Sequence, residues 1–264
     1  MKALFLLSGL LTLSACVSST KEGEVGAGRR QFMLVSSAEI VRSSGQAYNQ
    51  MKAEAQARGQ LDRNTEQVRR VQLIAQKLTA HVDVFRKDAR AWNWEVHVIS
   101  KDELNAFCMP GGKMMFYSGI IEKLNLTDGE IAAIMGHEIS HALREHGRER
   151  MSEALLQQGA LAILVGTGTL DPKYAGAINA FGAVLISLPN GRGQELEADQ
   201  MGVELMARAG YNPREAVTLW KKMAASGGKK PPEILSTHPA DDTRISKIEA
   251  IIPKVMPLYQ ATAR

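Results

Sequence analysis

The sequence predicts an α+β fold, mainly helical, with a small β-sheet or hairpin. Apolar residues recur at helical spacing through several long segments. Only one stretch alternates apolar with polar residues, and one further pair of short apolar runs brackets a Pro-Gly-Gly turn.

Taken in order, Ser36-Ser37-Ala38-Glu39 offers a capping box for a helix over 36–58, because a Ser oxygen can accept the third N–H while Glu returns to the first. After Gly59, the series Val68, Val71, Ile74, Leu78, Val82 and Phe85 keeps helical spacing. Residues 92–99 alternate and read as a half-buried strand with His97 on its polar face. His97, His81 and His146 are read alike, as solvated or locally hydrogen-bonded residues. Residues 105–119 form a hairpin through Pro110-Gly111-Gly112. Thr127-Asp128-Gly129-Glu130 is a second capping box, starting a core helix with Ile131, Ile134, Met135, Ile139, Ala142 and Leu143 on a broad apolar stripe. Residues 159–188 are apolar and glycine-rich but interrupted by Asp171-Pro172-Lys173, giving two pieces too short to span a membrane and expected as a helical hairpin. Helices follow over 195–208, 213–223 and 241–252, with a Gly/Lys/Pro loop at 227–232.

The composition, 45% hydrophobic and 23% charged over 264 residues, suits a chain with a sizeable core. The net charge of +4 is spread without a Lys/Arg block, which argues against a nucleic-acid partner. Two cysteines, Cys16 and Cys108, exclude a multi-disulfide scaffold. Residues 1–15 read as a signal segment, one Lys and a short apolar run ending Leu13-Ser14-Ala15. With Cys16 this ending resembles a bacterial lipobox, which implies lipidation of Cys16, and Val17 in place of Asp implies export to the outer membrane of a Gram-negative cell. Residues 16–35 are then expected as a flexible tether and 36–264 as the folded domain. Cys108 is left as a small buried hydrophobe.

The chemistry lies in His137-Glu138-Ile139-Ser140-His141, the H-E-x-x-H pattern, on the capped helix. Residues four apart stand one above the other, so both imidazoles can reach one Zn²⁺. Glu138 lies about 100° round the helix, where it can reach a metal-bound water more easily than the metal. A catalytic zinc takes three protein ligands. The candidate third is in Glu195-Leu196-Glu197-Ala198-Asp199, where Glu195 and Asp199 share one face. Glu195 as ligand with Asp199 orienting a histidine N–H fits such a site, and a solvated acidic first turn is the alternative, which Glu197 fits best.

With these segments the chain resembles the M48 zinc peptidases, gluzincins that include prenyl-protein, heat-shock membrane and periplasmic lipoprotein proteases. The resemblance runs from about residue 65 to 250. It rests on Asn105-Ala106-Phe107 with Pro110-Gly111-Gly112 and Tyr117-Ser118-Gly119, on Gly136 to His141, on Glu195-x-Glu197-Ala198-Asp199, and on Ser236-Thr237-His238-Pro239 followed by Arg244. It implies a zincin-like metalloprotease domain with one zinc ion held by His137, His141 and Glu195, Glu138 as general base, His238 as an oxyanion-stabilising or gating residue, and Arg244 supporting that region. The hairpin's exposed edge is placed near Met114, Met115, Phe116 and Tyr117, where an extended substrate would add as a strand. Expected substrates are unfolded or misassembled envelope proteins, with the outer-membrane assembly machinery as a further partner. The alternative is a latent zinc protein that acts chiefly as an assembly chaperone, with His238 filling the open metal position. Cys108 and Met109 depart modestly from the family's hairpin, which touches substrate preference rather than chemistry.

Overall fold

The computed structural model describes residues 16–164, 190–226, 234, 237–238 and 242–262. The predicted signal segment, the helical hairpin beyond Leu164 and the 227–232 loop lie outside them. In chain order the elements are β1 (Cys16–Val17), β2 (Gln31–Phe32), α1 (Ser37–Ala57), α2 (Thr65–Thr79), two 3₁₀ turns (Val82–Val84, Lys87–Ala91), β3 (Glu95–Ile99), β4 (Ala106–Met109), β5 (Lys113–Tyr117), α3 (Ser118–Lys123), α4 (Asp128–Leu143), α5 (His146–Leu164), α6 (Arg192–Arg208), α7 (Glu215–Ser226) and α8 (Asp242–Thr262). The α+β, mainly helical expectation holds. No described helix is long and apolar enough to cross a membrane.

The caps stand where the sequence implies, as the serine half of a box on α1 and as a full box on α4. Ser36 accepts the Glu39 N–H at 3.2 Å and starts α1. Thr127 and Glu130 form a full capping box on α4. Glu130 is also clamped by Lys222 at 2.6 Å and Thr218 at 2.9 Å, so one buried carboxylate fixes the start of α4 against α7.

The three-stranded sheet runs β3-β5-β4, with β5 parallel to β3 and antiparallel to β4. This corrects the substrate-edge assignment: Met114, Met115, Phe116 and Tyr117 lie on the central strand, paired on both sides. The hairpin is as expected, but β3 joins β5 across a non-local parallel pairing and leaves β4 at the edge. Both faces of the sheet are covered. Val96, Val98, Cys108, Met114 and Phe116 belong to the main core shared with α2 and α4, while Ile99, Phe107, Met109, Met115 and Tyr117 pack on α1 around Tyr48. The Tyr48 hydroxyl donates to the Met114 carbonyl at 2.9 Å and fastens α1 to the central strand. Cys108 is a free buried thiol, pushed up by burial, as the small-hydrophobe reading expects.

Two long elements differ from expectation. The 68–85 periodicity divides into α2 and a 3₁₀ turn that still buries Val82 and Phe85. α8 continues past Ile252 to Thr262 with Pro253 and Pro257 inside it. Each proline removes one N–H donor, but the two lie a turn apart on the exposed face, while Ile248, Ile251, Ile252 and Val255 keep the helix docked.

The expected tether is also different. Residues 18–33 lie along the domain as a strap: Val25 and Ala27 are buried, Lys21 N–H donates to the Phe85 carbonyl at 2.8 Å, and Glu24 N–H donates to Glu204 at 2.9 Å. Arg29 and Gln31 of this segment meet the buried carboxylates Glu149 and Glu197 beneath it, while Lys21, Glu22, Glu24 and Arg30 face water.

α4 and α6 cross at paired glycines. A Cβ on Gly136 would stand 2.8 Å from the Gly202 carbonyl oxygen, and one on Gly202 would stand 2.7 Å from His137 N. Only hydrogen fits on both sides, and this close approach lets side chains of α6 reach the histidines of α4.

Candidate metal centre

α4 presents His137 and His141 one turn apart, with their Nε2 atoms 3.0 Å from each other. From α6, Glu195 Oε2 lies 3.4 Å from His137 Nε2 and Oε1 lies 3.3 Å from His141 Nε2. His238 Nδ1 comes within 2.8 Å of Glu195 Oε1 and 3.2 Å of His137 Nε2. Its position is set by its own N–H bond to Ile234 and by the Asn190 side chain at 3.2 Å. All four residues are buried, and one donor atom from each falls within 4.8 Å of the others. His238, known to the sequence reading only through resemblance, is thus brought into the ligand cluster itself.

The donor set fits a cation. Two imidazole nitrogens and a carboxylate oxygen converge in a buried space, each imidazole with its other nitrogen engaged behind it. Lone pairs so arranged repel unless positive charge stands between them. Burial works to lower the pKa of His137, but Glu195 and Asp199 outweigh it and lift it to about 9, while burial holds that of His141 well below its ordinary value. Glu195 is held well below the usual carboxylate range, since His238 and His137 overcome the opposing effect of burial.

Glu138, next to His137 on α4, stands beside His238 at the margin of the donor cluster. It is buried, its carboxyl is pushed up by burial, and Oε1 makes no hydrogen bond; His238 Nε2 is 3.3 Å away, outside good geometry. An orphaned carboxylate oxygen beside a donor cluster is costly unless something polar comes to it. Glu138, His141 and His238 line a cleft whose far wall is Ala106 to Pro110, the β4 edge and its turn.

Comparison with known proteins agrees with this geometry. The model of "Peptidase family M48" matches residues 65–252. The chain belongs to peptidase family M48. It is 36% identical over 152 residues to the mitochondrial metalloendopeptidase OMA1 of Arabidopsis thaliana, covering 58% of this chain and 30% of the relative. It is 30% identical over 165 residues to the beta-barrel assembly-enhancing protease of Yersinia pestis, covering 57% and 32%. With the metalloprotease LoiP of Escherichia coli it is 26% identical over 248 residues, covering 92% of each chain. The OMA1 relatives of the plant and of the two yeasts, fission and budding, are longer, and this chain spans 30% to 49% of them.

Behind the donor cluster of this M48 chain stand two polar arrangements. Asp199 Oδ1 is 2.9 Å from His137 Nδ1, as its shared face with Glu195 predicts. Arg244 binds Asp199 twice, at 2.5 and 2.9 Å, and its guanidinium lies 3.6 Å over the Trp220 ring. Arg244 Nη1 also stands 2.7 Å from Glu195 Oε2, close in distance although poorly aligned for a hydrogen bond.

Behind His141 the sequence reading needs correcting. His146, expected to be solvated or locally bonded, is fully buried with Nδ1 2.8 Å from His141 Nδ1. Glu197, which fitted a solvated turn, is buried and bonded to His146 Nε2 at 3.1 Å, Arg144 Nη2 at 2.7 Å and Arg29 Nη2 at 3.1 Å. Its position opposite Glu195 on the helix was legible, but burial of that opposite face was not, because the strap supplies the cover. His146 returns to His141 because the chain reverses at Glu145, a non-glycine residue at φ 52° whose carboxylate is held by Arg148 at 2.9 Å. A histidine five residues beyond the second ligand was the one available signal, and nothing local gives it meaning.

Proposed function

We propose that this chain is a zinc-dependent endopeptidase that hydrolyses peptide bonds of unfolded or misassembled cell-envelope proteins. The observation that carries the reading is Glu138: a buried carboxylate whose Oε1 makes no hydrogen bond, at the boundary between a His/His/Glu donor set and an open cleft. His137, His141 and Glu195 would hold one zinc ion. Bound there, zinc would polarise the scissile carbonyl and lower the pKa of its water. Glu138 would accept the proton of the attacking water on its carboxylate and pass it to the leaving amine. The peptide backbone adds along β4, the strand at the sheet edge that walls the cleft, which favours extended, unfolded substrates over any one sequence. An envelope setting, with lipid anchoring at Cys16, rests on the lipobox-like ending and on similarity to LoiP and to a beta-barrel assembly-enhancing protease, whose name also motivates the outer-membrane assembly partner.

The latent alternative is favoured by one observation, the placement of His238 Nδ1 among the ligand atoms, where it would occupy the fourth metal position. In that state Asn190 and Glu195 retain His238, and cleavage requires the ring to leave the cluster and stabilise the oxyanion instead. Casein degradation by the purified chain, with and without a chelator and beside Glu138→Gln, tests both readings. Loss of roughly 10²–10⁴-fold in Glu138→Gln with zinc retained is expected. Equal rates in wild type and Glu138→Gln would overturn the peptidase reading. Full zinc occupancy without turnover would support the latent one.

A further inference from the structure

The two imidazoles that face the metal position are backed differently. His137 meets a carboxylate directly. His141 meets a second imidazole, His146, and only beyond it a carboxylate, Glu197. We infer that His146 and Glu197 are positioning residues for His141, a relay that fixes its ligating tautomer and ring orientation, and that Arg29 of the N-terminal strap completes it.

The argument rests on the reading that His141 holds a metal through Nε2, and follows the protons from there. A neutral imidazole that gives its Nε2 lone pair to a metal carries its proton on Nδ1. That proton needs an acceptor, and the atom 2.8 Å away is His146 Nδ1. Accepting there, a neutral His146 carries its own proton on Nε2, which donates to Glu197 Oε2 at 3.1 Å. Each donor along the chain has one acceptor, and the order can be reversed only by moving the proton of His141 onto Nε2, where it would block ligation. Glu197 is kept as an acceptor by two guanidinium groups, Arg144 on Oε1 and Arg29 on Oε2. Arg144 is itself tied to the strap through Ser18 Oγ at 2.9 Å and the Arg29 carbonyl at 2.7 Å. Arg29 also binds Glu149 through both terminal nitrogens, at 2.5 and 2.8 Å. Apolar packing alone would be met by Leu at position 146; a fully buried histidine bonded at both nitrogens is placed there for its donor and acceptor.

The test uses the full chain carrying His146→Leu, His146→Asn and Glu197→Gln, with zinc affinity read by competition against a chromophoric chelator and ligand geometry read from the visible spectrum of the Co²⁺-loaded protein. His146→Leu should weaken zinc binding by about 10–100-fold and change the Co²⁺ bands. His146→Asn, whose side-chain oxygen can accept from His141, should recover most of that loss. Glu197→Gln should shift affinity in the same direction by less. Zinc affinity within twofold of wild type in His146→Leu, with an unchanged Co²⁺ spectrum, would overturn the relay, as would an Asn variant no better than Leu. Should His146→Leu fail to fold, Glu197→Gln decides by the same criterion. A wild-type chain that binds no zinc would sink both this inference and the proposed function, whereas one that binds zinc tightly without cleaving casein would count only against the peptidase reading.

Discussion

The two flanks of the metal centre solve one problem with unequal lengths of chain. On the His137 side the path to a charged anchor is a single hydrogen bond to Asp199, backed by Arg244 of α8 and stacked on Trp220 of α7. On the His141 side the path runs through His146 to Glu197 and ends on Arg144 and on Arg29, a residue from the opposite end of the sequence. α6 supplies both carboxylates, two residues apart and so on different faces, together with Glu195 of the donor cluster. The difference teaches that a short path ties a ligand to the helical core, while a longer one ties it to whatever covers the surface.

This contrast can be broken on the short side first. Asp199→Ala would leave the Arg244 guanidinium buried without its bidentate partner, and a loss of about 3–5 kcal/mol in urea unfolding is expected. Both flanks can be moved together at the helix crossing. Gly202→Ala places a methyl 2.7 Å from His137 N, and overpacking against backbone should cost about 1–3 kcal/mol and lower zinc affinity, measured by unfolding and chelator competition. On the long side the effect should be smaller. Arg29 is partly exposed, so Arg29→Ala is expected to lower stability by about 1 kcal/mol or less, seen as a small shift of the urea midpoint. An effect as large as that of Asp199→Ala would erase the difference between the flanks.

Acid should sharpen it further. Burial tends to raise the Glu149 carboxyl, but hydrogen bonds from Arg29, Gln194 and Gln31 prevail and hold it below its ordinary value of 4.5. A group depressed in the folded state contributes stability that is present above its unfolded pKa and lost as pH falls through the folded one. The strap should therefore exchange its amide hydrogens faster as pH drops below about 4.5, after correction for intrinsic rates, while α4 and α6 change less. Uniform acceleration across the chain would show that the strap is not a separate unit.

What the sequence disclosed follows the same division. The spacing of His137 and His141, the shared face of Glu195 and Asp199, and the Thr127 cap are local regularities of a helix, visible within five residues. Family resemblance supplied His238 and Arg244, which spacing alone would not single out. Glu197, His146 and Arg29 escaped because their meaning depends on contacts as far as 168 positions apart. The place of β5 escaped for a related reason: a Pro-Gly-Gly turn announces its antiparallel partner β4, but nothing local announces the parallel neighbour β3. An apolar run of four residues, Met114 to Tyr117, reads as an edge or a centre equally well until the second pairing is known.

The strap has a mechanical consequence. Cys16 and Val17 pair with Phe32 and Gln31, and Ser18 and Thr20 just beyond them accept bonds from Arg144. Tension applied to the chain at Cys16 would load these contacts before it reached α1. Arg144 also grips Glu197, so the first spring to stretch is in series with the support of the His141 imidazole. Force on the N-terminal end and the alignment of His141 are thereby parts of one linkage.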